Sequence, residues 1–248
     1  MSNLYLLRTY ATKSPSALPP SILFASSSFT LTIYDAFPKS IFHFLVLPRV
    51  QPESSIGLSE LDSLKTLLAC KKENARSLLI KMAEDAKEIK TQIEEEMMKR
   101  YNFMWPVWIG FHGAPSMHHL HLHVLSSDLC SPRLKNKKHY NSFHPKLGFF
   151  LHIDEVLSWF DGEASYYSEM SKLDVKAYES LLKEDLVCWR CESTMKNIPT
   201  LKSHLQEEWD KVFRREKARA ERKRKMEEQD TGETGEAEHR EKKSKSEN

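Results

Sequence analysis

His119-Leu120-His121-Leu122-His123-Val124-Leu125 alternates imidazoles with aliphatic side chains. In an extended chain, side chains at i, i+2 and i+4 share one face. The spacing therefore predicts a strand that sets three imidazoles in a row and sends Leu120, Leu122 and Val124 into a core. Five of the 11 histidines fall between His112 and His123. A single strand histidine is ordinarily structural, but three on one face with two more just upstream mark a site.

Outward from that row, the pattern predicts a compact α+β domain. Phe29 to Asp35 alternates apolar and polar residues, and Phe42 to Pro48 is a second β run closed by proline. With Pro38-Lys39 as the turn, the two make a hairpin. Leu58, Leu61, Leu64 and Leu68 recur at helical spacing behind Ser59, read as an N-cap. Leu78, Met82, Ala86, Ile89, Ile93 and Met97 carry the period into a second helix. Val107 to His112 is a third strand, and Gly113-Ala114-Pro115-Ser116 turns the chain into the histidine row. A hairpin, helices and another hairpin imply an antiparallel sheet with helices on one face. Residues 1–28, rich in Ser and Pro, read as an N-terminal arm; they hold no acidic residue, a trait shared with transit peptides. The domain proper spans 29–165, its part after Cys130 expected to be loop-rich and basic.

At 248 residues and 40% hydrophobic content the chain can bury one full core and carry an appendage. The formal charge of +2 hides a basic C-terminal part. Four cysteines, two of them in Cys188-x-x-Cys191, fit a reduced compartment better than a disulfide framework. No apolar run approaches a membrane span.

Aligned imidazoles suit two chemistries. One is a metal site, with Asp128 as an additional ligand. The other is nucleophilic attack at phosphorus, one ring attacking while its neighbours hold phosphate oxygens. Backbone N–H groups of 113–116, the Ser116 hydroxyl, His112 and Lys39 would support the second.

The stretch 119–125 also matches the signature of the histidine-triad superfamily. Gly110 to Met117, Ser131 to Phe143, Asp35 to Lys39 and His43 to Pro48 resemble one branch of it, the aprataxin family in its fungal form with a C-terminal zinc finger. The resemblance runs from about Phe29 to Trp209. It implies a hydrolase that removes AMP from 5′-adenylated DNA, the product of abortive ligation. His121 would be the nucleophile, forming a His121–AMP intermediate. His119 would orient His121. His123 and Ser116 would hold the non-bridging oxygens, and His112 would sit near the leaving 5′-phosphate. Asp35 would accept the ribose hydroxyls, Lys39 would meet phosphate, and no catalytic metal is required. An aromatic wedge against the terminal base pair would fall to Tyr5 or Tyr10. His118 departs from the family pattern and receives no role.

A second module is expected over 166–213, with a helix from Leu173 to Leu186. Cys188 and Cys191 form a zinc knuckle and His204 follows at finger distance. Glu207 and Glu208 stand one turn further on the same helix face, Glu208 being the preferred fourth ligand. One structural Zn²⁺ per chain follows. Lys202 and the segment Arg133, Lys135, Lys137 and Lys138 would neutralise DNA phosphates. Residues 214–248 are charged and lack core formers, so they are expected to be disordered; Arg222-Lys223-Arg224-Lys225 resembles a nuclear localisation run. The expected protein is a nuclear monomer, with cytoplasmic or mitochondrial residence also open. It acts on nicked or end-containing duplex, releases AMP and has no membrane partner. Two other readings stay open: a small-molecule nucleotide hydrolase of the superfamily, and a non-catalytic nucleic-acid-binding zinc protein.

Overall fold

The computed structural model describes residues 4–244, with side chains described as far as Met226. Helix α1 (Leu6–Ala11) precedes three strands, β1 (Leu23–Ser26), β2 (Thr30–Tyr34) and β3 (His43–Pro48). Helices α2 (Leu64–Leu68) and α3 (Lys72–Tyr101) follow, then β4 (Val107–His112) and β5 (Leu122–Ser126). The remainder comprises α4 (Lys137–Asn141), β6 (Phe150–His152), α5 (Ile153–Ser158), α6 (Ala164–Met170), α7 (Val175–Leu181) and α8 (Ile198–Ser244).

The strands form one sheet in the order β1-β2-β3-β5-β4-β6, every neighbouring pair antiparallel. The expected first hairpin is β2–β3, and it lies directly against the histidine strand. Alternation decides what each face buries. Phe44 and Val46 of β3, Leu122 and Val124 of β5, and Val107 and Phe111 of β4 turn to one side. There they meet Leu79, Met82, Ala86, Ile89, Ile93 and Met97 of α3 in the main core. Each of these side chains other than Ala86 contributes about 1.5–3 kcal/mol on burial.

The opposite face carries two smaller apolar clusters. Leu7, Ile33, Leu45 and Leu47 make one, where α1 packs on the sheet. Leu125, Leu134, Tyr140, Phe143 and Phe150 make the other, together with Leu186, Cys188, Leu201 and Leu205 of the Cys/His region. The region expected as a second module thus shares a core with the sheet that carries the histidines.

The N-cap of α2 is Ser63, not Ser59: Thr66 N–H bonds the Ser63 hydroxyl, and Ser63 N–H bonds that of Thr66. The N-terminal arm supplies a helix and the edge strand β1. The helix expected from Leu173 to Leu186 is the shorter α7, capped by Asp174. Beyond 214, the expected charged tail keeps its charged, coreless character, but its described part continues α8 instead of leaving it. Glu, Lys and Arg are strong helix formers, so a helix already anchored below them propagates. Residues 1–3 and the last of that tail, 245–248, lie outside the described residues. Among the described residues no helix is long and apolar enough to cross a membrane.

Candidate active site

The histidine row is not one straight strand. β5 begins at Leu122, and His119 adopts φ +85° in the left-handed region. The cause is local pairing. His119 N–H bonds Asp62 O at 3.0 Å and Leu120 N–H bonds Leu61 O at 2.7 Å, so this backbone joins the turn before α2 instead of the sheet. Leu120, Leu122 and Val124 still enter the core.

His112, His121 and His123 line a cleft of about 910 Å³ on the sheet face opposite α3. Asp35, Lys39, Ser116, Arg133, Lys135 and Lys138 line it too. His119 does not: its ring is buried behind the cleft, with Nε2 donating to Pro48 O at 2.8 Å. Its own carbonyl accepts from His121 Nδ1 at 2.8 Å. A carbonyl only accepts, so neutral His121 carries its proton on Nδ1 and keeps a lone pair on Nε2.

His123 stands beside His121, ring centres 5.1 Å apart, and beside His112 at 4.3 Å. The Nε2 atoms of His112 and His123 are buried without a partner in the protein, a state that calls for a ligand. Phe143 packs edge-on to His43, His112 and His123. Burial holds every ring in this group below the usual imidazole pKa: His43 and His119 fall to about 4, while His112, His121 and His123 are also lowered. All are neutral at pH 7. Lys39 is lowered as well, first by burial, and its Nζ bonds Phe37 O.

Asp128 takes no part in the row. Its carboxylate is buried among Ser126 Oγ, Trp105 Nε1 and the N–H groups of Ile41 and Cys130. Lys137 turns from the cleft to Lys183 O at 3.1 Å and Asp185 at 3.5 Å. Lys202 lies on α8 and is half-buried. Tyr5 is exposed and stacks on His118 at 4.4 Å; His118 also bonds Asp62 at 3.0 Å. Tyr10 lines the cleft. At the cleft rim, Gly113 admits Tyr178 of α7: a Cβ there would lie 2.4 Å from that ring. From the same helix Glu179 reaches the cleft, and Leu182 just beyond it.

Sequence reasoning gave His43 no role. Its signal was being the one polar side chain amid the apolar run of β3. Its Nδ1 accepts from Lys39 N–H at 3.1 Å and its Nε2 lies 3.0 Å from His123 Nδ1.

The second cluster lies beside the same sheet. Donor atoms of Cys188, Cys191 and His204 lie within 4.8 Å of one another, Cys191 Sγ being 3.2 Å from His204 Nε2. A tight turn with Glu192 at φ +60° closes the knuckle, and Cys188 N–H bonds Ser193 O at 2.9 Å. Tyr140 of α4 braces it, donating to Val187 O at 2.8 Å and accepting from Trp189 N–H at 2.9 Å. Two thiols and an imidazole converging in this way fit a structural zinc ion. Glu208 is not among the converging donors; its carboxylate pairs with Lys211 at 3.1 Å. Trp209 and Phe213 of α8 pack against Tyr101, and Trp209 also against Trp105, tying the finger helix to the end of α3.

Comparison with known proteins returns two family models. One, described as a C2HE / C2H2 / C2HC zinc-binding finger, matches residues 146–211. The other, described as scavenger mRNA decapping enzyme C-term binding, matches residues 12–139. An aprataxin-like protein of Saccharomyces cerevisiae is 32% identical over 233 residues, covering 86% of this chain and 99% of the relative. An aprataxin-like protein of Drosophila melanogaster is 35% identical over 188 residues. That match takes in 75% of this chain, which spans only 24% of the relative's own length. Among solved structures, the crystal structure of aprataxin ortholog Hnt3 in complex with DNA superposes with a TM-score of 0.63 at 29% identity. It covers 87% of this chain and 98% of that one.

Proposed function

We propose that this chain, which belongs to the aprataxin family, removes AMP from 5′-adenylated DNA through a covalent His121–AMP intermediate. One observation carries the reading: the His119 carbonyl holds the proton of His121 on Nδ1, so Nε2 offers a lone pair in the cleft. The ring is neutral at pH 7, as a nucleophile must be.

In the first step Nε2 attacks the AMP phosphorus. A P–N bond forms, the anhydride P–O bond to the DNA breaks, and the electron pair leaves with the 5′-phosphate. In the second step water attacks the same phosphorus, the P–N bond breaks with its electron pair returning to Nε2 of a ring still protonated on Nδ1, and AMP leaves as the proton of water passes to solvent. His119 acts through its carbonyl rather than its ring. His112, His123 and Ser116 hold phosphate oxygens, Asp35 accepts the ribose hydroxyls and Lys39 meets phosphate. No catalytic metal takes part. Arg133, Lys135 and Lys138, at the cleft mouth, grip the DNA backbone, with Lys202 on the finger helix; Lys137, turned towards Asp185, joins them by exchanging that partner for phosphate. Zinc, one ion per chain, is held by Cys188, Cys191 and His204. Glu208 completes the set from one helical turn beyond His204, exchanging Lys211 for the ion. When bound, that zinc contributes fold and no chemistry. The chain acts as a nuclear monomer.

The test is incubation of the protein with a nicked duplex bearing a 5′-adenylate, at low and moderate salt, following AMP release. Release that His121→Ala eliminates is expected. Turnover of free adenosine phosphoramidate with none on DNA would replace this reading with the small-molecule one.

A further inference from the structure

We propose that His43 is a positioning residue: it sets the tautomer of His123 so that an N–H, not a lone pair, faces the reacting phosphate. The consequence for turnover rests on the function proposed above; the tautomer itself does not.

The chain of hydrogen bonds allows one assignment. Lys39 N–H donates to His43 Nδ1 at 3.1 Å, so that nitrogen carries no proton. Neutral His43 therefore has its proton on Nε2, which lies 3.0 Å from His123 Nδ1. The two ring centres are 5.2 Å apart, the N···N distance plus two ring radii, so the rings meet end to end as a hydrogen-bonded pair does. His123 Nδ1 accepts, and the proton of neutral His123 sits on Nε2. That Nε2 is buried without a partner, on a ring that lines the cleft. Burial keeps both rings neutral, His43 falling to about 4.

His121 is set the opposite way by the His119 carbonyl. Two rings two residues apart thus hold opposite tautomers, each imposed by backbone. The division suits phosphoryl chemistry, which needs a lone pair to attack and a hydrogen to hold a non-bridging oxygen. The tautomer of an imidazole is decided by the bond its other nitrogen makes, so His123 cannot choose alone. Asp35 Oδ2, 3.5 Å from His43 Nε2, reinforces the same proton. Asp35, His43 and His123 also bring three donors within 4.8 Å, as a cation site would. The end-on rings aim their nitrogens at each other instead of at a shared point, which is the geometry of a proton.

Long-range ¹H–¹⁵N spectra of the histidine-labelled full chain at pH 7 read the tautomers directly. The expected result is His123 protonated on Nε2 only and His121 on Nδ1 only. His123 protonated on Nδ1, or a mixture, overturns the proposal, and so does a shift of the His43 and His123 signals on adding a metal chelator. His43→Leu removes the donor, whereas His43→Gln keeps an N–H near the position of Nε2. On adenylated duplex, His43→Leu is expected to lose about 10²-fold in kcat with KM nearly unchanged, and His43→Gln to recover about tenfold of it. Equal loss in both variants with the His123 tautomer intact would reduce His43 to a packing role. Wild-type protein that shows the paired tautomers but releases no AMP would sustain the assignment and remove the proposed function instead.

Discussion

The histidine cleft and the Cys188–Cys191–His204 cluster stand on one face of one sheet, yet they are completed by different means. Around the cleft three rings are aimed by main chain: His121 by the His119 carbonyl and, behind it, His119 by the Pro48 carbonyl and His43 by the Lys39 N–H. Their orientation is set within the protein, while the Nε2 atoms of His112 and His123 are left for a ligand. At the finger, packing of Leu186, Cys188, Leu201 and Leu205 gathers three donors, Cys191 bonding both His204 and the Ser193 hydroxyl. There the donors converge on one point, as a structural zinc ion requires. Chemistry and architecture should therefore fail separately.

The sharpest break is His121→Ala, which is expected to reduce AMP release by on the order of 10⁴-fold or more while duplex affinity stays within experimental error. Single-turnover kinetics beside a binding isotherm checks both halves. Weakened binding of similar size would make His121 part of the DNA grip as well as of the reaction.

Removing the finger ion acts on the other side. Chelation, or Cys188→Ser, should take zinc from one per chain to none and weaken nicked-duplex binding about tenfold. It should also lower the melting temperature by on the order of 10 °C, because the knuckle shares its core with the sheet. Metal analysis with calorimetry reads this, and an unchanged melting temperature would make the finger an independent unit.

Acid should reach the buried rings behind the cleft first. His43 and His119 sit at about 4 in the folded chain against 6.5 for a free imidazole. Between those values the unfolded chain binds more protons, so stability is constant above pH 6.5 and falls as pH drops towards 4. Roughly 2 kcal/mol for each ring is lost by pH 5. Denaturant midpoints at pH 7.5 and 5 measure it; no shift would mean that the rings are not held neutral.

The smallest effect belongs to the cleft mouth. Lys138→Ala should leave kcat alone and reduce the salt dependence of duplex affinity by about one phosphate contact. A larger drop, or a change in kcat, would move Lys138 from the grip to the reaction.

Much of the frame was legible because its signals are local. β2 follows from alternation, β3 and β4 from short apolar runs, and α3 from a period-3.6 stripe read from Leu78 to Met97, although the helix buries Leu79 there and leaves Leu78 half-buried. β1 and β6, of four and three residues, are too short to show a period, and each is an edge that exists only because a neighbour offers a ladder. The histidine row shows the limit within one motif. Its composition announced a site, but the bend at His119 comes from Leu61 and Asp62, some 58 residues earlier, which take its backbone away from the sheet.

What the sequence alone determined is the inventory: imidazoles at period two, a Cys-x-x-Cys with a histidine at finger distance, and the apolar pattern that builds a sheet beneath both. What tertiary structure decided is the state of each group. It put the His119 ring behind the cleft, drew Lys137 aside, paired Glu208 with Lys211 and brought His43 against His123. The reason is that an imidazole's two tautomers, and a carboxylate's choice of partner, are separated only by the bond each finally makes. For His119, Lys137 and His43 those bonds come from groups distant in the chain, where no local pattern can record them; the Glu208 pair with Lys211 is the local exception.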